Sequence, residues 1–353
     1  MMRLFQAATA DDVWQQVSRA FRRSDGVTIQ DGRGGPTREL LHAAISIEDP
    51  RQRWAVSRRP ALNPALALAE VVWIMTGRSD RAFLEFWSKE YRKYAGTGRE
   101  LHGAYGNRIR RHLSVDQLDR AFRALSSNPD TRQVVLQIWD SEIDMPNPDG
   151  TPAAEDIPCN VMSMPKVRDG RLEWQQVIRS NDVFRGLPYN LVQFTSLQEI
   201  LAGWLNVECG TYNQVSDSLH VYEQDTASVL AAEPLPHAAF NTDSLALPKD
   251  ESDQVFKELE GRIEKLIDPD LSIGALRGLA SWESAPEAYR NIMTVLAAET
   301  FRRRGDINSA VEGMSSCTNP AYQQLWTQWL ARTSGRKHVA GSSSGVGVGL
   351  GSC

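Results

Sequence analysis

Residues 158–222 read PCNVMSMPKVRDGRLEWQQVIRSNDVFRGLPYNLVQFTSLQEILAGWLNVECGTYNQVSDSLHVY. Residues 160–168 and 171–180 are two strand-like runs separated by Asp169-Gly170, a pair suited to a two-residue hairpin turn. From Pro188 to Leu205 the apolar spacing lengthens to 3.6, with Leu191, Phe194, Leu197, Leu201 and Trp204 on or near one side. That spacing predicts a long, mostly buried helix. The stretch VSDSLHVYEQD returns to a period of two, placing Ser218, His220 and Tyr222 on one strand face and Leu219 and Val221 on the other.

Outward from this segment the pattern is plainer. The N-terminal MMRLFQAATADDVWQQVSRAF alternates charge with apolar residues, lacks a signal peptide's apolar core, and reads as an amphipathic helix. Residues 25–39 are glycine-rich, carry Arg33 and Arg38, and read as a mobile basic loop before the first strand; Arg38 reads as a solvated charge. Residues 64–77 have helical periodicity, opened by Pro64 and stopped by Gly77, with one acid, Glu70, inside the apolar run. A carboxylate there is either on an exposed face or directed at a polar cavity. Residues 134–139 (VVLQIW) read as a strand, and the acidic, proline-rich stretch after it as a loop ending just before Cys159. Residues 251–332 read as amphipathic helices, and the low-complexity tail from Thr333 to Cys353 as disordered. This gives a catalytic domain over 1–250, a helical C-terminal extension over 251–332, and a tail over 333–353.

Of the 353 residues, 41% are hydrophobic and 24% charged, which is ordinary for a core-forming chain. The net charge of −5 supplies no basic field for gripping nucleic acid, so an anionic ligand needs local arginines. No run of about 18 apolar residues is present, so no membrane span is expected. Cys159, Cys209, Cys317 and Cys353 lack CxxC spacing and suggest neither zinc nor a disulfide framework; a cytoplasmic setting is expected.

Four pieces of the 158–222 segment carry chemistry. Pro158-Cys159 follows a loop, Arg179-Ser180-Asn181-Asp182 ends a strand, Gly186-Leu187-Pro188-Tyr189-Asn190 opens a helix, and His220-x-Tyr222 lies on a strand. Each alone is weak: a lone cysteine is more often a small buried hydrophobe, and Gly-Leu-Pro more often a plain turn. In this order and at these intervals they resemble the thymidylate synthase family, which includes the deoxyuridylate and deoxycytidylate hydroxymethylases. The resemblance covers roughly residues 25–225. It implies an α+β fold, a mixed β-sheet with flanking helices to which this chain adds its C-terminal helices, and a homodimer formed by packing sheet faces.

The resemblance also implies a reaction. Carbon 5 of a pyrimidine is a poor nucleophile until a thiolate, here Cys159, adds to carbon 6. Carbon 5 can then take a one-carbon unit from 5,10-methylene-tetrahydrofolate. The same resemblance gives Glu70 a proton-relay role and Tyr105 a part in removing the proton from carbon 5. Arg33, Arg179 and Ser180 match the phosphate-binding set, with Arg132 contributed by the other subunit; Arg132-Gln133 stands where two arginines are usual. Asp182 would bond the folate pterin, with Gly186 beside it. His220 and Tyr222 would hold the sugar hydroxyl. Asn190 matches the base reader, whose amide suits the O4 and N3–H pair of uracil and so favours dUMP; an amide can flip, so dCMP stands as the alternative.

The chain departs from the family pattern at several points. Asn160 replaces the histidine after the cysteine, Ser218 an aspartate, and Arg185 an apolar residue. The segment WSKEYRKYAG around Trp87 does not match the family's folate wall, and over a hundred residues replace the short closing C-terminus. Hydride from the folate gives a methyl product and water a hydroxymethyl one, and a remodelled wall and lid favour water. The reading therefore leans to 5-hydroxymethyl-dUMP over dTMP. A nucleotide-binding protein that has lost catalysis is the alternative outside enzymology.

Overall fold

The computed structural model describes residues 2–339 except 25, 33, 90, 92–97 and 232, with side chains described through residue 334. Among the described residues seven strands form one mixed sheet: β1 (Arg3–Ala7), β2 (Thr28–Gly32), β3 (Gly35–Ile47), β4 (Leu136–Gln137), β5 (Asn160–Arg168), β6 (Arg171–Asp182) and β7 (Glu208–Tyr222). Their order is β1-β3-β7-β6-β5-β4, and β2 also pairs with β3. The β5–β6 hairpin turns on Asp169 and Gly170, both at positive φ, as the two-residue loop requires. The expected α+β fold is what the chain adopts.

Two expectations fail at the N-terminus. Residues 3–7 are not helical: they form β1, parallel to β3 from Ala43 to Ile47, and helix α1 begins only at Ala10. Residues 25–39 are not simply a loop either, because β2 and the start of β3 pair as a hairpin. Neither strand carries its own apolar alternation, and the partner that orders both is the long β3. Arg33 lies outside the described residues. The strand expected over 134–139 is reduced to two paired residues.

Helix α2 (Pro64–Met75) is capped by the Asn63 side chain, which accepts from Leu66 N, and stops at Gly77 with φ 69°. All its residues are buried, because helix α3 (Leu187–Leu205) covers one flank and C-terminal helices cover another. A helix apolar all round is stable only when enclosed in this way. After helix α4 (Glu223–Leu230) come α5 (Lys249–Ile267), α6 (Ile273–Ala280), α7 (Glu287–Arg303), α8 (Ile307–Ser315) and α9 (Pro320–Val339). One hydrophobic cluster runs from Phe5 through Trp174 to Trp329, so α5–α9 share the core of the sheet domain. Helix α9 continues to Val339, which corrects the expected start of the tail at Thr333. Residues 340–353 lie outside the described residues.

Candidate active site

A cavity of about 740 Å³ opens where the end of β6, the start of α3 and the middle of α2 meet. Cys159 lies at its floor, 9% exposed, at the foot of β5. Its carbonyl accepts from Arg179 N at 2.9 Å, which ties it to the facing strand. The Arg179 guanidinium donates to the carbonyls of Pro158 (3.0 Å) and Ile157 (3.2 Å) and lies 5.4 Å from the Trp139 ring centre. The arginine thus holds in place the loop that presents the thiol.

Glu70 reaches the cavity from α2, the one charge on that helix. Tyr91 Oη and Gln193 Nε2 both donate to it, the latter at 2.9 Å. Burial outweighs these donors and raises its carboxyl to about 7. Tyr105 also lines the cavity. Its placement depends on Gly106, where an added Cβ would come within 2.6 Å of the Ile74 backbone, so only glycine lets this segment lie against α2.

The end of β6 and the first turn of α3 supply the opposite wall. Ser180, Asp182, Gly186 and Asn190 all line it. Oδ1 of Asp182 accepts from the backbone N–H groups of Phe184 (2.7 Å) and Arg185 (2.9 Å), while Oδ2 is buried without a hydrogen-bond partner. Burial raises the Asp182 carboxyl and lowers the imidazole of His220, its register partner on β7. Asn190 is 6% exposed, accepts from Asn160 Nδ2 at 3.2 Å and donates to Asn181 Oδ1 at 3.3 Å.

Seven of the twelve residues singled out in the sequence therefore line one cavity: Cys159, Glu70, Tyr105, Ser180, Asp182, Gly186 and Asn190. Arg179 stands behind the Cys159 loop. His220 and Tyr222 pack edge to face at 5.5 Å, behind Asp182 and Arg185. Arg132 is exposed on the loop before β4 and does not line the cavity of its own chain. Ser218, where the family pattern has aspartate, donates to Glu39.

Sequence reasoning missed much of the remaining wall. Arg58 stacks 3.9 Å over Phe184 and donates to its carbonyl; burial lowers its guanidinium to about 10. Arg185, visible in the sequence only as a departure from the family pattern, donates from Nε to Asp225 of α4 at 2.8 Å. Arg302 and Arg303 of α7 and Trp329 of α9 converge on the buried Glu299, and all three line the cavity together with Arg332. Gln193 had a legible signal, lying three residues beyond Asn190 on the same helix face. The arginines on α7 and α9 had none, since only packing brings those helices here.

A thiol, a buried carboxyl raised to about 7 and a fixed amide stand around one cavity, groups able to supply a nucleophile, a proton donor or acceptor and a polar anchor. Comparison with known proteins agrees. The family model described as thymidylate synthase matches residues 24–263, well over half of the chain, and the chain belongs to that family. A protein named deoxyuridylate hydroxymethyltransferase from Bacillus phage SP01 is 34% identical over 204 residues, 55% of this chain and 52% of that protein. Its namesake from Pseudomonas phage M6 is 34% identical over 214 residues, 58% of this chain and 60% of that one. A protein of Methanothermobacter thermautotrophicus, provisionally named a thymidylate synthase, is 30% identical over 216 residues, 60% of this chain and 90% of its own. The chain thus spans little more than half the length of the two phage proteins it matches.

Proposed function

We propose that this chain transfers a one-carbon unit from methylene-tetrahydrofolate to carbon 5 of dUMP, through a covalent bond from Cys159 to carbon 6. The observation that carries the reading is the convergence of Cys159, Glu70 and Asn190 on one cavity from three separate elements. The Cys159 thiolate adds to carbon 6 and makes carbon 5 nucleophilic. Asn190 holds the base edge, and Glu70, with a carboxyl near neutrality, holds or releases a proton at its Oε atoms, which Tyr91 and Gln193 position by donating to them. Ser180 lines the cavity where the phosphate is placed, and the family resemblance adds Arg33, Arg132 from a second subunit, and Arg179, which here is engaged by the Pro158 and Ile157 carbonyls. The exposure of Arg132 suits donation across a dimer interface. The family resemblance assigns the sugar to His220, whose imidazole burial lowers, and Tyr222, although neither lines the cavity.

The residues fit a folate beside the nucleotide. The cavity is large enough for a drug-sized ligand, and Asp182 Oδ2, 4.0 Å from Arg185 Nε and without a hydrogen bond among the described residues, is an acceptor that suits an N–H donor such as a pterin carries. When bound, the folate supplies the electrophilic one-carbon unit; the chain's part is to stack it, meet its donors at Asp182 and admit or exclude water. The wall formed by Arg58, Arg302, Arg303 and Arg332 is polar, and water held there favours the hydroxymethyl product. The names of the phage relatives point the same way.

Among the described residues no helix is long and apolar enough to cross a membrane. Cys159, Cys209 and Cys317 are thiols, which suits a reducing cytoplasm. The test is incubation with 5-fluoro-dUMP and methylene-tetrahydrofolate. Wild type should give a covalent adduct by mass and Cys159→Ser none. With dUMP, the mass of the product separates hydroxymethyl from methyl. An adduct that survives Cys159→Ser overturns the assignment of the nucleophile.

A further inference from the structure

We infer that Trp174 sets the orientation of the Asn190 amide through a one-way relay of buried side chains, and so decides which pyrimidine the site accepts. The inference rests on the reading above, in which Asn190 reads the base edge. Trp174 Nε1 donates to Gln176 Oε1 at 3.1 Å, and Gln176 Nε2 donates to Asn160 Oδ1 at 2.9 Å. Asn160 Nδ2 donates to Asn190 Oδ1 at 3.2 Å, Asn190 Nδ2 to Asn181 Oδ1 at 3.3 Å, and Asn181 Nδ2 to Ser216 Oγ at 3.0 Å. Trp174, Gln176, Asn160 and Asn181 are at most 1% exposed, so water does not compete for these bonds.

A side-chain amide has a donor end and an acceptor end, and a half-turn exchanges them. In a row of amides each therefore imposes its polarity on the next. The hydroxyls at the margins are indifferent. Ser163 Oγ donates to Gln176 Oε1 at 2.6 Å but could accept from Nε2 instead. Ser216 Oγ accepts from Asn181, and also from Gln214 at 3.2 Å, yet could donate to Asn181 Oδ1 were that amide turned. The indole N–H of Trp174 can only donate. A half-turn of Gln176 would set two buried donors against each other, so among these members Trp174 alone makes one polarity costly.

The consequence falls on the base. Uracil presents an acceptor at O4 beside a donor at N3, and cytosine presents a donor at N4 beside an acceptor at N3. Turning Asn190 by half a turn converts a partner for one into a partner for the other. Asn160, the residue standing where the family pattern has histidine, is the link that lets polarity pass from Gln176 to Asn190.

The test uses the full chain carrying Trp174→Phe, which keeps an aromatic ring and removes the N–H. Affinities for dUMP and dCMP are measured by calorimetry, and turnover by tritium release from carbon 5 of each. The preference for dUMP over dCMP should fall by about 5- to 100-fold, the equivalent of one buried donor left unmatched, chiefly through tighter dCMP binding. Gln176→Met breaks the next link without altering the indole and should relax the preference in the same way; it decides the question if Trp174→Phe does not fold. A folded variant whose preference is unchanged, even with weaker overall binding, overturns the relay. A wild-type chain that binds neither nucleotide would instead sink the proposed function, so the two failures are told apart.

Discussion

Replacing Glu70 by glutamine measures what it costs to place a carboxylate on an apolar helix. In the folded chain burial raises this carboxyl from 4.5 to about 7, although Tyr91 and Gln193 both donate to it. The folded protein therefore keeps a proton that the unfolded chain releases between those two values. The sign follows: the group leaves stability intact below the unfolded value and takes stability away as the pH rises toward about 7, after which the loss is constant. Each pH unit of displacement is worth about 1.4 kcal/mol, so wild type should lose about 3 kcal/mol relative to Glu70→Gln between about pH 4.5 and pH 8. The glutamine does not titrate. Its amide oxygen can accept from one neighbour while its N–H groups donate to the Tyr91 hydroxyl or to the oxygen of a turned Gln193, so any fixed difference displaces its curve without tilting it. Urea unfolding of both proteins across this range gives the difference directly. Parallel stability curves would refute the reasoning, because Glu70 would then titrate as it does in the unfolded chain, near 4.5, and would hold no proton for relay near neutrality. The same substitution should abolish the pH dependence of turnover that centres near 7.

Two further outcomes follow from packing. Gly203→Ala should destabilise the chain by about 1–3 kcal/mol in thermal unfolding despite alanine's better helix propensity, because its Cβ would lie 2.6 Å from backbone atoms of Ala246 and Leu247 that cannot swing aside. Nucleotide affinity should not change, and a variant as stable as wild type would show that α3 and this loop are not in such close approach. Glu299→Gln leaves the Arg302 and Arg303 guanidiniums and the Trp329 indole around one neutral acceptor, and should lower stability by about 2–3 kcal/mol. On the proposed reading it should also raise the KM for folate while leaving binding of dUMP alone in place; equal loss of both would mean that the wall built by α7 and α9 serves the nucleotide.

The segment from Pro158 to Tyr222 was legible because its signals are local. The Asp169-Gly170 turn, the change of period at Pro188 and the return to a period of two at Val215 each follow from neighbouring residues. The grouping of Cys159, Asp182 and Asn190 was legible for the same reason, since they stand within about thirty residues of each other and the two strands and helix between them bring them to one cavity. Strands β1 and β2 were not legible, because short strands without apolar alternation are ordered by partners elsewhere in the chain. The placement of Glu70 was open in the sequence between an exposed face and a cavity. Only enclosure of α2 by α3 and the C-terminal helices settled it, and that enclosure, by excluding water, is what raises the carboxyl. The arginines of α7 and α9 and the polarity handed from Trp174 to Asn190 likewise belong to tertiary structure: both depend on side chains meeting across elements, a matter of packing that no periodicity records.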